Sequence, residues 1–300
     1  MTGAAIVWIL VTRWGAVSHA HPSYPLLIGL TVLGAVAGLW RSARRTASTG
    51  PAPRRRRVLR AFGVMLVLAW VALLVWLRPF AAHDTALDAM RSDAQVSVTE
   101  SATRITLWPT GATKETGVLF QPGARVDARA YAAHLRPLAA AGYPVIIVKQ
   151  PLGIAFLAAD ALDDAARDFD DIASWVAAGH SLGGTVAAME AKDFHASHPD
   201  QLAGLILWGS YPAGPVGDLA PGRVLSVSSS QDGLATPAKI DAARADLPAD
   251  TTFQVIDGGS HAQFGDYGRQ PGDGTATISN DQARERISAA TLDALDDFGR

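Results

Sequence analysis

The sequence contains no cysteine, and this absence removes several kinds of chemistry. Without a thiol there is no disulfide framework, no thiolate nucleophile and no cysteine-based metal site. A surplus of positive charge is also lacking, because 28 acidic residues balance 26 lysines and arginines, so the composition gives no signal for nucleic acid. What remains is an uneven chain, in which apolar residues crowd the first part and most charged residues follow.

Two long apolar runs stand near the start of the chain, at Tyr24–Trp40 and Val58–Leu77. Each approaches the ~20 residues that a helix needs to cross a hydrocarbon core of ~30 Å, and neither has the polar face of a core helix. They predict a transmembrane helical hairpin in a lipid bilayer. The earlier stretch Ala4–Val17 is interrupted by Arg13, and it is interpreted either as a third span or as an interfacial segment.

Arginines cluster between the two runs, in a short loop at 41–57 that also contains Pro51 and Pro53. They are Arg41, Arg44, Arg45, Arg54, Arg55, Arg56 and Arg57. Positive charge in short loops stays cytoplasmic, so the second helix should leave the cytoplasm. Nucleic-acid binding is the alternative for this cluster, but its place between two spans favours membrane topology or anionic lipid. The pattern predicts a multi-pass protein of the cell membrane whose later part, from about Arg78, is extracytoplasmic.

The chain divides accordingly into an N-terminal apolar segment (1–23), two transmembrane helices (24–40 and 58–77) around the cytoplasmic loop, a tether with one short helix (78–102), and a catalytic domain (103–300). In the last of these, continuous apolar runs such as Tyr143–Val148 and Leu202–Trp208 alternate with helical segments. This alternation predicts an α/β fold with a mainly parallel sheet covered by helices on both faces. Ligands bind such sheets beyond the carboxyl ends of the strands.

The segment Gly179–Gly184, with the sequence GHSLGG, lies between a predicted strand and a predicted helix. It fits the G-x-S-x-G nucleophile elbow, in which a serine occupies a sharp strand-to-helix corner. A Cβ at Gly179 or Gly183 would collide with the neighbouring strand or helix, so glycine is needed on both sides. Because so short a pattern also arises by chance, its context has to decide whether Ser181 is a nucleophile.

That context is supplied by Asp232 and His261, each of which follows a later predicted strand. Serine, acid and histidine appear in the order of hydrolases with a nucleophile elbow. Singly, the aspartate and the histidine also fit ordinary turns, but together the three predict a catalytic triad. Two rival acids are worse placed, because Asp218 follows no clear strand and Asp257 shares a strand end with the histidine.

The predicted site also needs amide donors for a developing oxyanion and a surface for the substrate. One donor is expected from Leu182, directly after the serine, and the other from Gly123 or Ala124, since Pro122 has no N–H. Too few residues separate the strands for a cap domain, so the pocket should be shallow and open, lined by Phe156, Trp208, Tyr211 and Phe264.

Other polar residues have weaker claims to function. His195 and His198 have H-x-x-H spacing, but no third ligand accompanies them, so a solvated helix end is favoured over a metal site. The aspartates between Asp160 and Asp171 lack the spacing of a calcium loop and are expected to coat a helix. His180 is expected to point away from its neighbour, the serine.

Five motifs carry a resemblance to a known family. They are GHSLGG at Gly179–Gly184, QPGARVDARAY at Gln121–Tyr131, AGYPVIIVKQPLGIAF at Ala141–Phe156, QDGLATP at Gln231–Pro237 and GGSHAQFGDYG at Gly258–Gly268. With them, nearly all of residues 103–300 resembles the α/β-hydrolase fold, and within it the small lidless bacterial hydrolases related to dienelactone hydrolase (the alpha/beta hydrolase family 5 group). Dienelactone hydrolases use a cysteine nucleophile, so their substrate does not carry over to a chain with Ser181.

The resemblance implies serine-type hydrolysis of a small ester-like substrate without a metal or organic cofactor. Two alternatives stay open. One is acyl transfer to an envelope lipid or glycan, and the other is a catalytically idle scaffold for binding or sensing.

Overall fold

The computed structural model describes residues 2–44, 54–217, 219 and 223–299. Three helices open the chain, α1 at Thr2–Ser18, α2 at Ser23–Ala43 and α3 at Arg54–Trp76. The loop predicted at 41–57 is shorter than expected, since its last arginines lie in the first turn of α3. The predicted loop residues Arg45, Pro51 and Pro53 lie outside the described residues.

Two of these helices are long and apolar enough to cross a membrane, over Ser23–Arg41 and Arg57–Trp76. Only 17% and 6% of these stretches is buried, whereas a core helix of a soluble protein is mostly buried. Length and composition alone also suit a signal sequence. Helix α1 is shorter and breaks its helical geometry at Arg13, where φ is −140°.

An eight-stranded sheet follows, in the order β1-β2-β4-β3-β5-β6-β7-β8. The strands are β1 Val96–Glu100, β2 Arg104–Pro109, β3 Thr116–Gln121, β4 Val145–Val148, β5 Ser174–His180, β6 Leu202–Trp208, β7 Val224–Ser229 and β8 Thr252–Ile256. Strand β2 runs antiparallel to both β1 and β4, and every later neighbour pair is parallel. The parallel strands therefore end at one common edge, as the prediction of a mainly parallel sheet requires.

Helices cover both faces of the sheet. They are α4 Asp84–Asp88, α5 Ala132–Ala140, α6 Ala161–Asp168, α7 Leu182–Ser197, α8 Pro237–Ala242 and α9 Asn280–Phe298. Strand β6 shows why two layers form, because all of its residues are buried and successive side chains point to opposite faces. Ile206 and Trp208 pack in the layer with α5 and α9, whereas Leu205 and Leu207 pack with Phe194 of α7.

The stretch predicted as a tether contains more structure than expected. It includes the short helix α4, and it also includes strand β1, so the sheet begins before residue 103. Strand β1 alternates apolar and polar residues, which suits an edge strand with one buried face. Val96 and Val98 pack on the layer beneath α5 and α9.

Candidate active site

Ser181 occupies the corner between β5, which ends at His180, and α7, which begins at Leu182. Its φ of 53° and ψ of −126° are strained for a residue with a side chain. A Cβ on Gly179 would lie 2.5 Å from the carbonyl carbon of Gly183, and a Cβ on Gly183 would lie 2.1 Å from Gln121 O. Both distances are far shorter than a van der Waals contact, so the expected need for glycine on each side of the serine is confirmed.

Asp232 and His261 are joined directly, because the Nδ1 and Oδ2 atoms lie 2.8 Å apart and both side chains are buried. Asp232 follows β7, and His261 begins a 3₁₀ turn at His261–Phe264 after β8. The other carboxylate oxygen accepts the N–H groups of Leu234 at 2.8 Å and Ala235 at 2.7 Å. These two bonds fix the carboxylate, and the carboxylate in turn orients the imidazole.

No hydrogen bond between the Ser181 and His261 side chains is present among the described residues. The Nε2 atom of His261 is buried and has no hydrogen-bond partner there. A histidine that serves as a base to a serine uses this nitrogen, and such bonds are often long before a substrate binds. The structure thus joins Asp232 to His261, and it places Ser181 at the end of another strand of the same sheet.

His180, beside the serine, belongs to a buried polar cluster under the site. Its Nδ1 atom lies 2.8 Å from the Tyr131 hydroxyl, which also accepts the Gly123 N–H at 2.9 Å. Its ring packs against the ring of His261, with 4.5 Å between centroids, a contact that the sequence did not predict. Burial, and then the neighbouring His261 and His134, hold the pKa of His180 well below its ordinary value.

The two predicted oxyanion donors in the loop after β3, Gly123 and Ala124, differ in whether their N–H groups are already hydrogen-bonded. The hydrogen bond to Tyr131 occupies the N–H of Gly123, whereas no hydrogen bond in the described part of the chain uses the N–H of Ala124. Leu182 is the first residue of α7, so its amide has no acceptor within the helix. Leu182 and Ala124 are therefore better placed than Gly123 to serve as oxyanion donors.

A second buried network also holds this loop. Gln150 Nε2 donates to Pro122 O and to Gln121 Oε1, each at 2.9 Å. Gln121 Nε2 in turn donates to the carboxyl group of Glu190 at 3.1 Å and to Ala158 O at 2.9 Å. Burial raises the pKa of Glu190 to about 8, so a proton on this carboxyl is favoured in the folded protein.

Asp273 ties the loop after β7, which carries Asp232, to the turn that begins at His261, and the sequence did not predict this role. Its Oδ1 accepts the N–H groups of Gly233 and His261, each at 3.1 Å. Its Oδ2 accepts the Ala262 N–H at 2.8 Å. One carboxylate therefore bridges the residue after Asp232 and the backbone of His261.

The backbones around this carboxylate pack in direct contact. A Cβ on Gly233 would lie 2.6 Å from Gly272 O, and a Cβ on Gly274 would lie 1.9 Å from Gln231 O. Only glycine fits at both places. The one signal in the sequence was the pair of glycines that flank Asp273, which by itself suggests only a turn.

The sequence profile of the alpha/beta hydrolase family matches residues 117–285. The match spans more than half of the 300 residues and contains the serine corner, Asp232 and His261. The chain belongs to the alpha/beta hydrolase family. No curated protein sequence matches this hydrolase.

Solved structures resemble this hydrolase in fold. A fungal esterase from Rhizomucor miehei superposes with a TM-score of 0.51 at 15% identity, over 72% of this chain and 87% of the esterase. A CIB-like hydrolase from Thermoplasma acidophilum gives 0.49 at 16% identity, over 67% and 99%. Dienelactone hydrolase from Anabaena variabilis gives 0.46 at 18% identity, over 68% and 98%.

The aromatic residues predicted to line the pocket do not share one surface. Trp208 and Phe264 are fully buried, so the hydrolase uses both as core residues and not as an open pocket wall. Trp208 Nε1 donates to Thr291 of α9 at 3.0 Å, and the Phe264 ring stacks on His180 at 5.5 Å. Tyr211 is half-buried, and Phe156 is exposed.

The remaining candidates take no part in the contact between Asp232 and His261. Asp257 is exposed and bonds to the Ser230 hydroxyl at 3.0 Å, whereas Asp218 lies outside the described residues. His198 lies 4.0 Å from Asp163 of α6, a helix formed within the aspartate-rich stretch. In the part of this hydrolase that the structure describes, no group of three or more side chains is arranged to hold a metal ion.

Proposed function

We propose that this alpha/beta hydrolase is a membrane-anchored serine hydrolase that cleaves an ester-like bond. The observation that supports it most is the buried 2.8 Å contact between Asp232 and His261, with a strained Ser181 corner in the same sheet. A carboxylate, an imidazole and a serine at three strand ends are the parts of a nucleophilic triad.

In this mechanism the Ser181 hydroxyl attacks the ester carbonyl while His261 Nε2 takes its proton. The negative oxygen of the tetrahedral intermediate accepts N–H groups from Leu182 and Ala124. The intermediate then expels the alcohol, which takes the proton from His261, and leaves an acyl-serine. Water, deprotonated by the same histidine, attacks this ester and releases the carboxylic acid and free Ser181.

The test is the variant Ser181→Ala, with Ser197→Ala at the exposed end of α7 as its control. Hydrolysis of p-nitrophenyl acetate and labelling by a fluorophosphonate should both disappear in Ser181→Ala and persist in Ser197→Ala. Turnover at the wild-type rate without Ser181 would refute the assignment. A wild-type chain that neither hydrolyses esters nor takes the label would instead favour a binding scaffold.

Hydrolysis and acyl transfer share the acyl-serine, so the product distinguishes them. In water enriched with ¹⁸O, hydrolysis should place the heavy oxygen in the released acid. An unlabelled acyl group found on a lipid or glycan acceptor would instead establish transfer.

Anchoring is supported by the distribution of charge along α2 and α3. Arg41 and Arg44 stand at the end of α2, and Arg54 and Arg55 stand at the start of α3, whereas the hydrolase domain follows the opposite end of α3. The positive-inside rule then puts the domain outside. Alkaline phosphatase fused after Arg78 should be active, and a fluorescent signal from a cytoplasmic reporter at that point would reverse the topology.

A further inference from the structure

The N-terminal helices contact the sheet domain at the edge where its parallel strands end. The Leu152 N–H, just after β4, donates to the hydroxyl of Ser23 at 3.0 Å, and Ser23 is the first residue of α2. Leu152 and Ile154 pack on an apolar cluster at the ends of the helices, which includes Tyr24 and Leu77. The end of β4 therefore lies level with the start of the apolar stretch of α2.

Two further contacts fix the same arrangement. Arg125, in the loop after β3, donates to Trp76 O and lies over the rings of Trp76 and Phe80, at 4.9 and 5.1 Å. Glu100, at the end of β1, lies 3.0 Å from His19 in the turn after α1. Strands β1, β3 and β4 run in the same direction, so all of these contacts belong to one edge of the sheet.

The proposed catalytic residues stand on that same edge. Ser181 follows β5, Asp232 follows β7 and His261 follows β8. Ala124, the proposed oxyanion donor, is the direct neighbour of Arg125, which contacts the last residue of α3. The catalytic edge is therefore turned toward the side from which α2 and α3 join the domain.

An exposed apolar pair follows the segment that packs on the helices. Phe156 and Leu157 belong to a 3₁₀ turn at Ala155–Ala158, directly after Ile154. The carbonyl group of Ala158 accepts a hydrogen bond from Gln121, which ties this turn to the oxyanion loop. Elsewhere in the described sheet domain, the exposed large apolar side chains are Met189 and Val255.

We propose that Phe156 and Leu157 enter the outer leaflet of the bilayer and hold the β4 end of the catalytic edge against it, so that the substrate is an acyl ester that partitions into this leaflet. The substrate class rests on the serine hydrolase function proposed above. A lipid surface is the partner that fits, because the pair is exposed and apolar and comes directly after Ala155 and Ile154, and Ile154 packs on the apolar cluster at the ends of the helices. Exposed aromatic and aliphatic side chains bind at such boundaries.

Charged side chains follow the pair on helix α6, which carries Asp163, Asp164 and Asp168. Asp168 pairs with Arg104 at 2.5 Å, and Asp164 pairs with Arg167. Two of the three carboxylates are thus compensated by arginines, so the apolar pair is the part of this segment that is suited to enter a lipid surface.

The absence of native cysteine makes a direct test available, because a single introduced cysteine takes a bimane label at one place. Leu157→Cys is compared with Leu66→Cys on α3 and with Val255→Cys on β8, at side chains that are 54%, 54% and 53% exposed. Strand β8 lies about 24 Å from β4 across the sheet, at ~4.8 Å per strand. The full chain is reconstituted in phosphatidylcholine nanodiscs that contain doxyl-labelled lipid.

Bimane at positions 66 and 157 should be quenched by the doxyl lipid, and bimane at position 255 should not. Quenching at 66 combined with equal quenching at 157 and 255, whether weak or strong, would overturn the proposal and leave anchoring intact. No quenching at 66 would overturn anchoring and the proposal together. The same measurements with Ser181→Ala should be unchanged, so this result does not depend on whether the serine is catalytic.

Activity tests the substrate class. Leu157→Ser should lower kcat/KM several-fold for p-nitrophenyl palmitate dissolved in the nanodiscs, and leave kcat/KM for soluble p-nitrophenyl acetate unchanged. Val255→Ser should change neither value. An equal loss on both esters, or no loss on either, would overturn the assigned substrate class. If the wild type hydrolyses neither ester, the hydrolase function and this substrate class fail, and the quenching result still decides the membrane contact.

Discussion

His180 and His261 lie ring against ring, with both side chains buried and 4.5 Å between their centroids. Burial and the neighbouring histidines lower the pKa of His180 well below its ordinary value, so this ring is neutral in the folded protein. Its neutrality keeps a second positive charge away from the imidazolium that forms on His261 in the proposed reaction.

This lowered pKa predicts acid sensitivity. The ordinary pKa of histidine is 6.5, and below that pH the unfolded chain binds a proton at His180 that the folded chain does not. The free energy of unfolding should therefore decrease as the pH is lowered. His180→Phe keeps a ring against His261 and does not titrate. Its Tm should therefore fall less than that of the wild type between about pH 7 and pH 5. Parallel Tm curves for the two proteins would contradict the prediction.

The acid role of Asp232 is tested with the rival acid Asp257 as control. Asp232→Asn should lower kcat severely, by ~10⁴-fold if it follows the serine protease precedent, because the amide no longer orients the imidazole. Asp257→Asn changes an exposed carboxylate whose partner is Ser230, so its kcat should stay near the wild-type value. The measurement is steady-state hydrolysis of p-nitrophenyl acetate. The reverse pattern would move the acid role to Asp257.

Asp273→Asn should loosen the contact between the loop that carries Asp232 and the turn that begins at His261. The new amide group presents its own N–H toward backbone N–H donors, so at least one of the bonds to Gly233, His261 and Ala262 is lost. A misplaced base lowers kcat, by about 10²-fold for a shift of ~1 Å, and leaves KM nearly unchanged. The free energy of unfolding should fall by about 1–3 kcal/mol.

Its control is Asp281→Asn, which alters an exposed carboxylate paired with Arg284 of the same helix. Such surface pairs contribute at most ~1 kcal/mol, so activity should be unaffected. An unchanged kcat in Asp273→Asn would show that the carboxylate does not position His261, even if stability fell.

Glu190→Gln should become more stable relative to the wild type as the pH rises. The pKa of Glu190 is raised from 4.5 to about 8, so the folded chain holds a proton that the unfolded chain releases within this range. The wild type therefore loses stability as pH rises from about 4.5 to 8, whereas glutamine has no proton to lose. The difference in Tm between Glu190→Gln and the wild type should grow across this window. A pH-independent difference would contradict the raised pKa.

Local patterns in the chain were sufficient for several elements. The strand-to-helix corner at Ser181 follows from two glycines and from the change in hydrophobic period around them, both of which are short-range. The strand ends before Asp232 and His261 were located in the same way. Strand β1 was missed because its alternating, half-polar pattern is brief. Trp208 ends a strand and Phe264 ends a turn, and both are buried because the direction in which such an aromatic residue packs depends on its surroundings.

By itself, the sequence determined the α/β hydrolase fold and the position of a serine, an acid and a histidine at strand ends, because glycine sterics and strand periodicity act between neighbours in the chain. Only the tertiary structure decided that Asp273 bridges Gly233 and His261, that Tyr131 occupies the Gly123 amide, and that Leu152 lies against Ser23. These contacts join residues that are far apart in the chain, and their energies depend on the packing of complete elements, which no local pattern records.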